Sequence, residues 1–167
     1  MVMALKYNDA QRTSHNEKNV CAYINRRTVD SYLSTKGRDR KNRHQYFTDD
    51  GVCISVFSNS GLPTIIKGKA ALARLGSWVD AQFPDWEWVN AHVYPSRDGT
   101  VFIVECTGVG TAASADVLAR TTVPYIHIFT VRNGLISEVR EYSDMRQKYR
   151  LLSAAFPATD TCPFYPL

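Results

Sequence analysis

Residues 68–88, GKAALARLGSWVDAQFPDWEW, decide the fold. Leu72, Leu75, Trp78, Val79 and Phe83 recur at helical spacing, so one face of a helix must be buried against a second element. Pro84 ends that helix, because it has no N–H and disfavours helical geometry at Phe83. Asp85 to Trp88 then open an aromatic-rich strand, so the stretch marks the passage from helix to sheet.

Upstream of it, a first helix is predicted from about Glu17 to Thr35, with Val20, Ile24, Tyr32 and Leu33 among its buried positions and Gly37 as its terminator. A short second helix covers about Arg38 to Phe47, and Asp49-Asp50-Gly51 turns the chain into a strand at Val52 to Phe57. Ser58 to Gly61 turns it back through Leu62 to Ile66. Downstream come four strands, at about 86–95, 100–111, 119–131 and 135–144, then a helical stretch at 146–155. Residues 1–16 read as a loose arm, 17–155 as one domain, and 156–167 as an extended tail. Helices followed by a long antiparallel meander, without βαβ alternation, make an α+β fold. In that layout a curved sheet wraps around helices and leaves an apolar cavity between the layers.

At 167 residues the chain fits one domain that buries about two-thirds of its unfolded surface without staples. No apolar run approaches the roughly 20 residues of a membrane span, and the N-terminus lacks the apolar core of a signal peptide, so a cytoplasmic protein is expected. Cys21, Cys53, Cys106 and Cys162 are scattered and read as small hydrophobes rather than a zinc site, with a disulfide as the alternative. The net charge of +4 favours acidic small molecules. Lys36, Arg38, Arg40, Lys41 and Arg43 are interrupted by Asp39 and spread around a helix, which suits a solvated face better than a nucleic-acid stripe. Arg43 is the exception singled out below. His15, His44, His92 and His127 include no pair at helical metal-ligand spacing, and there is neither a nucleophile elbow at Ser77 or Ser114 nor a phosphate loop. No metal or nucleotide cofactor is expected.

Two turns set the expected sheet faces. Asn133-Gly134 suits a two-residue hairpin, which sets Arg132 opposite Leu135 and therefore Ile126 opposite Glu141. On that register Glu141 sits with Ile126, Ile128 and Val139, where an apolar setting raises a carboxyl pKa toward the range of a general acid or base. An ion pair with a buried arginine, or a place at the sheet rim, is the alternative. The other face then holds Tyr125, His127, Phe129, Arg140 and Tyr142, a mixture that suits a subunit interface. Asp98-Gly99 sets His92 opposite Glu105, with Val89, Ala91, Val93, Phe102, Val104 and Cys106 in the core. Trp88, Asn90, His92, Tyr94, Glu105 and Thr107 then face outward.

The FPDWEW block of residues 83–88, NRRTVDSYLSTKGRDRKNRHQYFTDDG at 25–51 and NGLISEVREY at 133–142 together resemble the phenazine-biosynthesis PhzA/PhzB family. The resemblance runs in register from about Asn25 to Tyr149 and includes Val104 to Cys106 and Tyr125 to His127. It implies a nuclear-transport-factor-2-like (SnoaL-like) cone, paired as a homodimer or with a paralogue. It implies further that active members bring two amino-cyclohexenone carboxylates together and form imine bonds between them. Glu141 matches the family's proton-transfer carboxylate and Arg43 its substrate-anchoring arginine. Catalytic members place a histidine and a serine one turn apart where this chain has Leu75 and Val79, which meet at i, i+4 as an apolar patch facing the cavity beside Trp78. The same loss marks the PhzA-type paralogues. The resemblance therefore implies three readings: phenazine-type condensation, a SnoaL-like cyclase or isomerase with another substrate, or a catalytically silent supporting subunit.

Overall fold

The computed structural model describes residues 19–57, 63–113, 120–144 and 146–147. The expected arm, the tail, the turn at 58–61 and all but residues 146–147 of the last helix lie outside the described residues. In chain order the elements are a helix α1 (residues 19–34), a 3-10 helical segment (Gly37–Tyr46), β1 (Phe47–Ser55), β2 (Thr64–Lys67) and α2 (Lys69–Gln82). Four strands follow: β3 (Glu87–Pro95), β4 (Val101–Gly110), β5 (Thr121–Arg132) and β6 (Leu135–Ser143). They form one curved sheet in the order β2-β1-β6-β5-β4-β3, the α+β arrangement expected. Neighbours are antiparallel except β1 and β6, which run parallel because the chain leaves β1 by way of β2 and α2 and returns through the β3–β6 meander.

The sheet's inner face and α1 share a core in which Val29, Phe129, Val131, Ile136 and Val139 have essentially no exposed surface. Tyr32 of α1 packs edge-on against Phe47 at 6.0 Å and Phe129 at 5.3 Å, the geometry that aromatic quadrupoles favour. Asn25 locks this helix to the sheet. Buried to 3% exposure, it donates to the Gly99 carbonyl at 2.9 Å and accepts from the Gly134 N–H at 2.9 Å, so one amide holds both hairpin turns. Val20 and Ile24, expected in the core, are 56% and 45% exposed, since the inward face of α1 runs instead through Asn25, Val29, Tyr32 and Leu33.

Two bulges rearrange the expected faces. Arg132 does oppose Leu135, but β6 then gains one residue between Ile136, opposite Val131, and Glu138, opposite Thr130. The surplus residue is Ser137, itself buried, whose hydroxyl donates to the Thr130 carbonyl at 3.1 Å. Past it, Glu141 opposes His127 rather than Ile126. Tyr125, His127 and Phe129 are therefore interior residues and not an interface, while Ile126 lies on the outer face at 44% exposure. On β3 the pair His92 and Glu105 forms as expected, yet the register shifts between His92 and Val89 at Asn90, whose φ is 53°. That shift turns Trp88 inward and leaves Ala91, expected in the core, exposed. The Asp49-Asp50-Gly51 turn is likewise a bulge within β1, between Phe47 and Val52.

Helix α2 lies over the 3-10 segment, with Leu72 buried, and ends as Pro84 requires: the Phe83 N–H caps the Val79 carbonyl. Gly76 permits the close crossing, since a Cβ there would stand 2.7 Å from the Lys41 carbonyl oxygen. Gly76→Ala is therefore expected to lose about 1–3 kcal/mol in urea denaturation despite alanine's better helix propensity. A gain in stability would show that the crossing relaxes freely.

Candidate functional site

Between α2, the 3-10 segment and the inner sheet face lies a cavity of about 110 Å³. Leu75, Trp78 and Val79 line it from α2, and Arg43 and Glu141 line it from the other two layers. The five residues singled out in the sequence thus meet around one space. Tyr32, Trp86, Trp88 and Tyr125 complete its aromatic walls. Trp86 and Trp88 meet edge-to-face at 5.8 Å, seated against Gly108, where a Cβ would collide with the Trp86 ring.

Arg43 projects inward from the 3-10 segment, its guanidinium 4.6 Å from the Tyr32 ring centroid and 5.3 Å from that of Trp88. Its Nε donates to Thr35 Oγ1 at 2.6 Å, while Nη2 is buried with no hydrogen-bond partner. Arg40, assigned above to a solvated face, is the chief correction: only 5% exposed, it lines the same cavity with Nε and Nη1 both unpartnered. Its guanidinium stands 5.7 Å from Trp86 and 5.9 Å from Trp88. The reason is the tighter winding, since residues three apart in a 3-10 helix eclipse one another and Arg40 and Arg43 share the inward side. Spacing by three after Gly37 was the signal available in the sequence. Burial lowers both guanidinium pKa values, and for Arg40 the charge of Arg43 pushes in the same direction. Two cations held in an aromatic cavity with donors unspent suit an anionic ligand.

Glu141 reaches the cavity from β6, its side chain 13% exposed, with Oε1 3.5 Å from His127 Nε2. Burial and then the Glu141 carboxylate raise the pKa of Tyr125, and burial does the same to Tyr32, so both phenols stay neutral and can donate hydrogen bonds. Behind Glu141, His127 is fully buried and Cys106 Sγ lies 3.4 Å from its Nδ1. The inward turn of Trp88, Tyr125 and His127 escaped sequence reading because it follows from the two bulges. His92 and Glu105 remain exposed on the outer face, where Glu105 accepts from the Tyr94 hydroxyl at 3.2 Å. Among the described residues no group of three or more His, Cys, Asp or Glu side chains is placed to hold a metal ion, and no helix is long and apolar enough to cross a membrane.

A helix-covered curved sheet enclosing an aromatic, charged cavity is the SnoaL-like, nuclear-transport-factor-2-like class of fold. A protein of ketosteroid isomerase-like fold from Catenulispora acidiphila shares this fold, with a TM-score of 0.64 at 16% identity over 81% of this chain and 97% of the other. Within that class the chain belongs to the phenazine biosynthesis protein A/B family, whose profile matches residues 7–162. It is 38% identical to phenazine biosynthesis protein PhzA1 of Pseudomonas aeruginosa, over 80% of this chain and 83% of the relative. It is 36% identical to PhzB1 of the same organism over the same shares. The crystal structure of a phenazine biosynthesis-related protein (phzb2) from Pseudomonas aeruginosa superposes with a TM-score of 0.73 at 35% identity, covering 84% of this chain and 87% of that one.

Unsatisfied buried donors sacrifice stability for a ligand. Arg40→Met, which keeps the volume and removes the buried charge, is expected to leave the ligand-free protein at least as stable as wild type, with a gain of up to about 3 kcal/mol. A loss of stability in thermal or urea unfolding would show that Arg40 is structurally satisfied.

Proposed function

We propose that the chain promotes imine formation between cyclic amino-ketone carboxylates in phenazine-type biosynthesis, working in the cytoplasm without a cofactor. The observation that carries this reading is the meeting of Glu141 with the buried guanidiniums of Arg40 and Arg43 in one aromatic cavity. The arginines hold substrate carboxylate, and the rings of Trp78, Trp86 and Trp88 exclude water from the reacting groups. An amine nitrogen adds to a ketone carbon, and Glu141 takes one proton from that nitrogen and returns it to the oxygen to give the carbinolamine; it then carries the second nitrogen proton to the hydroxyl, which leaves as water as the C=N bond forms. Positioning two molecules converts an encounter into an intramolecular step, and the carboxyl group moves the protons.

The test is condensation of an amino-cyclohexenone carboxylic acid against the uncatalysed background. Glu141→Gln is expected to lower the accelerated rate by about 10²–10⁴-fold with the fold intact, and Arg43→Gln to raise KM more than it lowers kcat. Unchanged turnover in Glu141→Gln overturns the acid/base role.

A second reading, a supporting subunit beside a more active paralogue, is favoured by Leu75 and Val79, which present hydrocarbon to the cavity. Leu75→His/Val79→Ser separates the two. A silent wild type with a gain of activity in the double variant supports the supporting subunit, whereas full wild-type activity unimproved by the polar pair supports a working site of different shape.

We also propose a homodimer through the outer face of β3–β6, rather than through the face expected from the sequence. Tyr94, Ile103 and Ile126 are 51%, 45% and 44% exposed there. Tyr94 pairs with Ile103, and Glu105 pairs with Ile126. Ile103→Lys/Ile126→Lys is expected to convert a dimer to a monomer in sedimentation at micromolar concentration, and an unchanged mass overturns this contact.

A further inference from the structure

The proton-transfer reading uses Glu141 and leaves unexplained the two buried polar side chains aligned behind it. Cys106 on β4, His127 on β5 and Glu141 on β6 lie on three adjacent strands, with Sγ to Nδ1 at 3.4 Å and Nε2 to Oε1 at 3.5 Å, the latter an approach in which the buried Nε2 does not yet make a hydrogen bond. The imidazole is fixed in orientation, stacked on Tyr125 at 5.3 Å and 13° and edge-on to Trp88 at 4.7 Å. It does not line the cavity; only Glu141 of the three does. Burial and the nearby Glu141 carboxylate push the Cys106 thiol up to about 12, so the sulfur carries its hydrogen at any ordinary pH.

These placements choose between the two neutral tautomers. A hydrogen on Nδ1 would find only the weak acceptor of the thiol sulfur and leave the bare Nε2 lone pair facing a carboxylate oxygen. A hydrogen on Nε2 lets the S–H donate to Nδ1 and turns an N–H toward Glu141. Both contacts improve together. Contacts of this length are common in ligand-free sites and tighten in the reacting complex.

We propose that His127 is a positioning residue: Cys106 selects its Nε2–H tautomer, and that N–H aims Glu141 into the cavity. This rests on the reading of Glu141 as the proton-transfer group. The proton path is amine nitrogen to Glu141 oxygen to carbinolamine oxygen, while His127 keeps its own proton throughout. Among the described residues, the charged and titratable groups around the imidazole besides Cys106 and Glu141 are Tyr125 on its own strand, Arg40 and Arg43 across Trp88 from the 3-10 segment, and Tyr32 of α1, which packs on Phe129.

Nitrogen NMR of the ligand-free protein, labelled with ¹⁵N-histidine, tests the tautomer without any substrate. His127 is expected to carry its hydrogen on Nε2 at pH 7, with its Nε2 resonance moved by Glu141→Gln and its tautomers redistributed by Cys106→Ala. A hydrogen on Nδ1, or a resonance indifferent to Glu141→Gln, overturns the proposal. In the condensation assay, His127→Phe is expected to raise the acidic midpoint of the kcat/KM profile by about one pH unit, and His127→Gln, which retains an N–H, to bring it back. An unmoved midpoint in folded His127→Phe also overturns it. Failure of the wild type to accelerate condensation would sink the acid/base reading of Glu141, while the NMR result would still decide the state of His127.

Discussion

One surplus residue, Ser137 in β6, decides that Glu141 faces inward. Side chains alternate along a strand, so an insertion of one exchanges inside for outside over everything beyond it. Ser137 is accommodated because its hydroxyl bonds the Thr130 carbonyl, making a local partner for a group that the ladder would otherwise leave unmatched. From that point on, Val139 and Glu141 join Tyr125, His127 and Phe129 on the inner face, and Arg140 pairs with Glu138 on the outer one at 2.7 Å. The meeting of the Glu141 carboxylate with Tyr125 and His127 on one face follows from this parity, as the inward turn of Trp88 follows from the shift at Asn90.

The cavity is apolar in its walls and charged at its ends, an expensive combination. Each buried guanidinium forgoes hydration, and the aromatic faces of Tyr32, Trp86 and Trp88 return only part of that through cation–π contact. The 3-10 winding that brings both arginines to one side and the tight crossing at Gly76 keep the charges fixed before any ligand arrives. Preorganisation of this kind places the energetic burden on folding. Helix α2 contributes no charge to the cavity; its Leu75, Trp78 and Val79 shape the space while the 3-10 segment and the sheet supply the charged groups.

Legibility in the sequence followed the range of the interactions concerned. Helix α2 was readable because Leu72 to Phe83 repeat at one period and Pro84 stops them locally, and the hairpins were readable from Asp98-Gly99 and Asn133-Gly134. The inward position of Arg43 came from likeness to the family, whereas that of Arg40 needed the difference between three and 3.6 residues per turn, which composition does not reveal. The bulges at Asn90 and Ser137 were invisible for a different reason. Each is held by contacts with a neighbouring strand, so counting outward from a turn carries the correct register only as far as the first irregularity.

The parallel pairing of β1 with β6 also sets an order of assembly during synthesis. Phe47 pairs with Ile136, so the strand that follows the arginines waits for the last strand of the meander before it has its second neighbour. A nascent chain that has released α1, the 3-10 segment and α2 therefore has the cavity's covering helix and cations but no carboxylate and no closed sheet. Contacts between such distant positions form slowly, because a long loop must be closed before they yield any stability. The ribosome thus has to complete β6 before there is an enclosed space for a small molecule to enter.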